Sequence, residues 1–241
     1  MTDADLLDQV ADANGALAVA GQRDMVWGHV SLRSPDGRGV LMKAAALGFE
    51  EIGRDQVLLV SPEGEVLEGH GRRHIEFFIH TEIMRARPDV NAVVHTHSVN
   101  AAAFGSLDTP LRPLNHDAAL FLLPELPRFT RSGDLIRDAE IGAALAATLG
   151  DARGVLIPGH GMVTVGESLA SAVMHAVLLD HACRLQLEAL AAGGPQRWSS
   201  DAEVASKQQN LWTTQQVDDG YRYLVRRAVA SGFGSAIPSQ H

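Results

Sequence analysis

Two histidines, His95 and His97, lie in the run Val93-Val94-His95-Thr96-His97. If that run is a β-strand, side chains at i and i+2 point to one face, and the two imidazoles can converge on one metal ion. The pattern also fits two hydrogen-bonded histidines at a strand end, because an unpartnered imidazole beside apolar residues is costly. A third histidine, His160, stands in Pro158-Gly159-His160-Gly161. Its flanking glycines allow a sharp turn and close backbone approach, so it reads as a third ligand or as a surface turn residue. Glu76 sits among Ile75, Phe77, Phe78 and Ile79. A carboxylate in such company either faces solvent or is poised by burial and a cation. Together these residues make three imidazoles and one carboxylate. A catalytic zinc or manganese site commonly has three protein ligands and an open position, and the remaining group can act as general acid or base beside it.

The elements that must position these groups follow from periodicity and punctuation. Val90 to Thr96 reads as a compact β-branched strand, and His74 to Arg87 as a helix stopped near Pro88. His80 falls one helical turn after Glu76, on the same face. Gly154 to Ile157 and Met162 to Val165 read as strands flanking the Gly-His-Gly turn. A first helix carries Leu6, Leu7, Val10 and Leu17, opens with capping-box spacing at Thr2 and Asp5, and ends at Gly21. Val26 to Arg33, Val40 to Lys43, Gln56 to Ser61 and Glu65 to Leu67 read as strands joined by Pro- and Gly-containing turns. Leu111 to Ser132, rich in proline, reads as mostly connecting structure; Ile136 to Leu149 and Ser168 to Ala192 read as helices. Gly193-Gly194-Pro195 is a plausible hinge, followed by a polar helix over 201–216, an aromatic tail with Trp212, Tyr221 and Tyr223, and a frayed end from Gly232. Hairpins mixed with helices suggest a largely antiparallel sheet covered by helices.

Composition narrows the possible roles. The 241 residues suffice for one large domain, and 46% hydrophobic with 20% charged residues suits a globular chain. A formal charge of −9 without clustered Lys and Arg argues against nucleic acid as a partner. Cys183, the one cysteine, excludes an intramolecular disulfide and a Cys-rich zinc site. The acidic start is unlike a signal peptide, and no run reaches the roughly 20 apolar residues of a membrane span. The expectation is a cytoplasmic protein with no membrane partner.

In the combination and order of its motifs the chain resembles the class II aldolase/adducin family. The resemblance rests on Gly28-His29-Val30-Ser31-Leu32-Arg33, Glu76-Phe77-Phe78-Ile79-His80, Arg87-Pro88-Asp89-Val90-Asn91-Ala92-Val93-Val94-His95-Thr96-His97 and Gly159-His160-Gly161-Met162-Val163. It runs from about Leu6 to Leu190. It implies an α/β fold with three α/β/α layers around a mainly antiparallel sheet. It implies one divalent metal ion per subunit (zinc or manganese, with cobalt or iron as options) on His95, His97 and His160, with Glu76 as acid/base and as a fourth ligand when substrate is absent. It implies a homo-oligomer, a tetramer being favoured. The catalytic domain then spans 1–192, with 193–241 as its C-terminal helical extension.

Departures from the family pattern point to the substrate. Sugar-phosphate members grip phosphate with a Gly-Asn-Val-Ser turn, a Thr-Pro-Ser/Thr-Gly turn and small hydroxyl residues before the catalytic Glu. Here the equivalents are His29, the run Met42 to Gly48 with Ala44, Ala45 and Ala46, and His74-Ile75 preceded by Arg72-Arg73. Alanines supply no side-chain donor to phosphate. Lys43, Arg72, Arg73 and His29 would suit a small-molecule carboxylate, or be solvated surface charges. This resembles the family's decarboxylase branch, which acts on ortho-hydroxy aromatic or pyridine carboxylates such as dihydroxyphthalate. His116 reads as a pocket-lining catalytic candidate or a structural loop histidine. Rival expectations are an aldolase for an unphosphorylated hydroxy-carbonyl compound and a non-catalytic adducin-like scaffold.

Overall fold

Ala92–Thr96 forms an interior strand of a seven-stranded sheet in the computed structural model, which describes residues 3–238. The expected capping residue Thr2 lies outside them. The elements are α1 (Asp3–Val19), β1 (His29–Arg33), β2 (Val40–Lys43), β3 (Val57–Val60), β4 (Val66–Glu68), α2 (Phe77–Ala86), β5 (Ala92–Thr96), α3 (Val99–Gly105), α4 (His116–Ala119), α5 (Ala139–Leu149), β6 (Gly154–Ile157), β7 (Gly161–Gly166), α6 (Leu169–Ala191), α7 (Asp201–Asn210) and α8 (Thr214–Ala230). The sheet order is β4-β3-β2-β1-β5-β7-β6, and every neighbouring pair is antiparallel.

The period of two along β5 divides the molecule into layers. Ala92 and Val94 join one apolar cluster with α1, α3 and α6, and Val93 joins a second cluster with α2 and α5. Helices therefore cover both sheet faces, the α/β/α arrangement that the resemblance implies. Because both faces are covered, Val57-Leu58-Leu59-Val60 is buried throughout instead of alternating with polar residues. His95 shares its face with Val93 and so looks toward α2.

α2 is held by Phe77, Ile79, Ile83 and Met84, all buried. Each such side chain contributes about 1.5–3 kcal/mol. Their sum outweighs the several kcal/mol needed to bring one paired carboxylate out of water, so α2 can carry Glu76 inward at its start. No helix among the described residues is long and apolar enough to cross a membrane.

Several boundaries differ from expectation. β1 starts at His29 instead of Val26, because residues 25–27 form a turn with Met25 at φ 47°. The helix expected from His74 starts at Phe77, and Glu76 is its N-cap. β5 ends at Thr96, so His97 lies just past the strand. The polar helix expected over 201–216 breaks into α7 and α8, where the Thr213 side chain caps the new N-terminus by accepting from the Gln216 N–H. The segment expected to fray from Gly232 instead forms a 3-10 turn at Gly234–Ala236, tied to α1 by the Ser235 N–H donating to Asp12 at 2.7 Å. Residues 239–241 lie outside the description.

Candidate metal centre and pocket

β5, the β6–β7 turn and the start of α2 bring four side chains together. Ligating atoms of Glu76, His95, His97 and His160 all lie within 4.8 Å of one another. His95 Nε2 is 3.1 Å from His97 Nε2, Glu76 Oε2 is 3.7 Å from His95 Nε2, and Glu76 Oε1 is 3.5 Å from His160 Nε2. Ligands about 2.0–2.2 Å from a tetrahedral ion stand roughly 3.4 Å apart, so the set has the dimensions of a coordination shell. Glycine makes the β6–β7 turn possible: Gly159 has φ +75°, and a Cβ on Gly161 would lie 2.4 Å from the Thr96 carbonyl oxygen.

The hydrogen-bond partners of the rings imply a donor set that fits a cation. His95 Nδ1 donates to the Met162 carbonyl at 2.9 Å, and His97 Nδ1 donates to the Asp24 carboxylate. In a neutral ring the other nitrogen is then a bare lone pair. Two such lone pairs face each other across 3.1 Å, which favours an ion between them. Burial holds His95 well below the usual histidine range, against an upward pull from Glu76, and so keeps the ring neutral. Burial pushes the Glu76 carboxyl up, but His160, His95 and the Ile136 N–H together outweigh it and bring the pKa to about 2. The Ile136 N–H donates to Glu76 Oε1 at 2.8 Å.

The centre opens into a cavity of about 820 Å³. Val26, Trp27, Ala45, Ala46, Ile75 and Leu135 give it apolar walls, and His29, Arg72, Arg73, His74 and Asp134 also line it. The cations expected to bind substrate divide into three situations. Arg72 is exposed on the rim, where its side chain is available. Arg73 donates to the carbonyls of Gly64 at 2.6 Å and His74 at 3.1 Å, and lies 4.2 Å from the Phe77 ring centroid. Lys43 is fully buried beneath the pocket, donating to the carbonyls of Val26 at 3.1 Å and Leu47 at 2.5 Å, and is absent from the lining. Burial lowers the Lys43 pKa to about 8. His116 is exposed on α4, its carbonyl receives the Trp212 indole N–H at 2.8 Å, and it does not line the cavity.

A second histidine group backs the cavity wall. His29 Nδ1 lies 2.6 Å from His80 Nε2, and His80 Nδ1 lies 2.6 Å from Ser31 Oγ. His74 packs on His29 with ring centroids 4.5 Å apart, and its Nε2 is buried without a partner. Sequence reasoning did not assign roles to Asp24, Ser31, His74 or His80. A signal existed for Ser31 and His80: Ser31 is two residues from His29 on one strand face, and a helical histidine amid apolar residues needs a partner. Asp24 had none, lying 73 residues from the imidazole it orients.

Comparison with known proteins agrees with this fold. Residues 8–187 match the family described as Class II Aldolase and Adducin N-terminal domain. The chain is 40% identical over 152 residues to Decarboxylase NovR of Streptomyces niveus, covering 63% of this chain and 55% of the relative. It thus spans about half the length of that protein. It is 30% identical over 221 residues to 3,4-dihydroxyphthalate decarboxylase of Arthrobacter keyseri, covering 85% and 87% of the two chains. Among solved structures, L-fuculose 1-phosphate aldolase from Glaciozyma antarctica PI12 superposes with a TM-score of 0.83 at 26% identity, covering 95% of this chain and 90% of that one.

Proposed function

We propose that this chain, which belongs to the class II aldolase and adducin family, is a divalent-metal-dependent carbon–carbon lyase that decarboxylates an ortho-hydroxy aromatic or heteroaromatic carboxylic acid. The observation that carries this reading is the convergence of Glu76, His95, His97 and His160 beside an apolar-walled cavity. Two relatives are named as decarboxylases. Zinc and manganese both suit the donor set. We further propose a homotetramer.

His95, His97 and His160 would hold the ion through Nε2, with Met162 and Asp24 fixing the first two rings. When bound, a divalent ion supplies a Lewis acid that stabilises negative charge on oxygen. Trp27, Ile75 and Leu135 offer apolar contact to a flat ring, and Arg72 offers a charge for its carboxylate. Glu76 rests ionised, so it must accept a proton before it can give one. It takes the substrate hydroxyl proton and delivers it to the ring carbon bearing the carboxylate. Loss of carbon dioxide then returns the bonding pair to the ring as a phenolate, which solvent protonates.

The likeness to an aldolase structure favours a second reading, retro-aldol cleavage of an unphosphorylated hydroxy-carbonyl compound by the same centre. The test compares kcat/KM on ortho-hydroxy aromatic acids with that on fuculose 1-phosphate and ribulose 5-phosphate. Faster turnover of either sugar phosphate overturns the decarboxylase reading.

A further inference from the structure

We propose that Ser31 and His80 are positioning residues that lock His29 in its Nε2–H tautomer, so that it donates a hydrogen bond to an anionic oxygen of the substrate. The substrate half of this statement rests on the decarboxylase reading; the tautomer half does not.

The argument is a count of hydrogens. Ser31 is fully buried, and the partner of its hydroxyl is His80 Nδ1. A buried hydroxyl hydrogen left without an acceptor is costly, so Ser31 donates and His80 Nδ1 is a lone pair. His80 is fully buried in an environment that disfavours its charged form, so its single hydrogen is on Nε2. That hydrogen points at His29 Nδ1, 2.6 Å away, which must therefore be a lone pair. An imidazole whose Nδ1 is a lone pair carries its hydrogen on the other nitrogen, so that of His29 sits on Nε2. His29 lines the cavity, and with Nδ1 turned to His80 its Nε2 is the nitrogen left for a ligand. The reverse order would turn His29 into an acceptor, and it would strand the Ser31 hydrogen in the interior.

The consequence concerns specificity. A fixed N–H beside His95, with ring centroids 5.0 Å apart, favours a phenolate or carboxylate oxygen next to the metal centre. A methyl group at that point would leave the N–H unsatisfied, and a neutral ether oxygen would accept from it more weakly than a phenolate or carboxylate. His29, Ser31 and His80 come from β1 and α2, so packing of the helix on the sheet sets the direction of the whole chain of hydrogen bonds.

The experiment uses the full-length, zinc-loaded protein labelled with ¹⁵N-histidine. Two-bond ¹H–¹⁵N correlations report the tautomer of each ring, and His29→Gln and His80→Gln assign the signals. The expected result is Nε2–H at both His29 and His80, lost at His80 in Ser31→Ala and restored in Ser31→Thr. An Nδ1–H tautomer at His29 in the wild type overturns the proposal, as does a Ser31→Ala protein with unchanged tautomers. In a second arm, salicylate binding should weaken on the order of ten- to a hundredfold in Ser31→Ala, the scale of a hydrogen bond to a charged group, and recover in Ser31→Thr. Equal affinity in Ser31→Ala and wild type contradicts the donation to substrate. Failure of salicylate to bind the wild type instead counts against the decarboxylase reading and the substrate half, while the tautomer result stands on its own.

Discussion

Replacing Asp24 with alanine removes the carboxylate that receives the Nδ1–H of His97. That hydrogen bond fixes the ring so that Nε2 faces His95, and it raises the basicity of the ligating nitrogen. Partners of this kind are worth about 10–100-fold in metal affinity. Each tenfold corresponds to about 1.4 kcal/mol. Both side chains are only 22% exposed, so solvent screens the pair incompletely and the loss should reach that range. The loop itself should survive, because Gln22 still meets Thr96 at 3.1 Å and Lys43 still donates to Val26. Zinc Kd, measured by competition with a chromophoric chelator, should therefore rise about 10–100-fold in Asp24→Ala. Asp24→Asn keeps an acceptor without the charge and should fall between. At a fixed excess of zinc, the stabilisation gained from metal should shrink by about 1.4–2.7 kcal/mol. A Kd within twofold of wild type would refute the reasoning, since His97 would then either bind no metal or need no orientation by Asp24.

Other perturbations separate the remaining roles. Glu76→Gln should retain zinc or manganese while losing roughly 10²–10⁴-fold in kcat, because the amide cannot move a proton; metal analysis and steady-state turnover on one preparation check both. Arg72→Ala should raise KM for an aromatic acid with little change in unfolding temperature, whereas Arg73→Ala should lower that temperature, because Arg73 is bonded to two carbonyls and stacked on Phe77. For metal-free protein, the Glu76 pKa of about 2 lies below its ordinary 4.5. The unfolded chain therefore binds the extra proton between these values, and the stability contributed by Glu76 is present above the upper one and lost as pH falls toward the lower. Acid unfolding of metal-free Glu76→Gln should accordingly show a flatter pH dependence in that window.

The candidate metal ligands were marked locally, although only the family resemblance singled them out as one ligand set. A period of two puts His95 and His97 on one side of the chain, and Gly159 and Gly161 mark a turn no other residue could make as tightly. A largely antiparallel sheet covered by helices was legible from the mixture of hairpins and helices, and the three α/β/α layers were implied by the family resemblance. What the charged residues touch was not. Lys43 and Arg72 look alike in sequence, yet Lys43 is sealed under the pocket on two backbone carbonyls while Arg72 stands on the rim. Asp24 could not be found, because its partner is brought to it only by the packing of the α1–β1 loop on the end of β5. Glu76 was recognised but placed inside a helix. As the residue before α2, it has the freedom to turn toward the imidazoles while the Ile136 N–H holds one oxygen.

Carbon dioxide release from carboxyl-labelled ortho-hydroxy aromatic acids, before and after removal of the metal, tests the central claim most directly. Protein loaded with zinc or manganese should release labelled carbon dioxide from at least one such acid. A chelator should abolish the release, and added metal should restore it. Undiminished release from fully metal-free protein, or an aldehyde from a hydroxy-carbonyl compound with no carbon dioxide from any acid, would contradict the account.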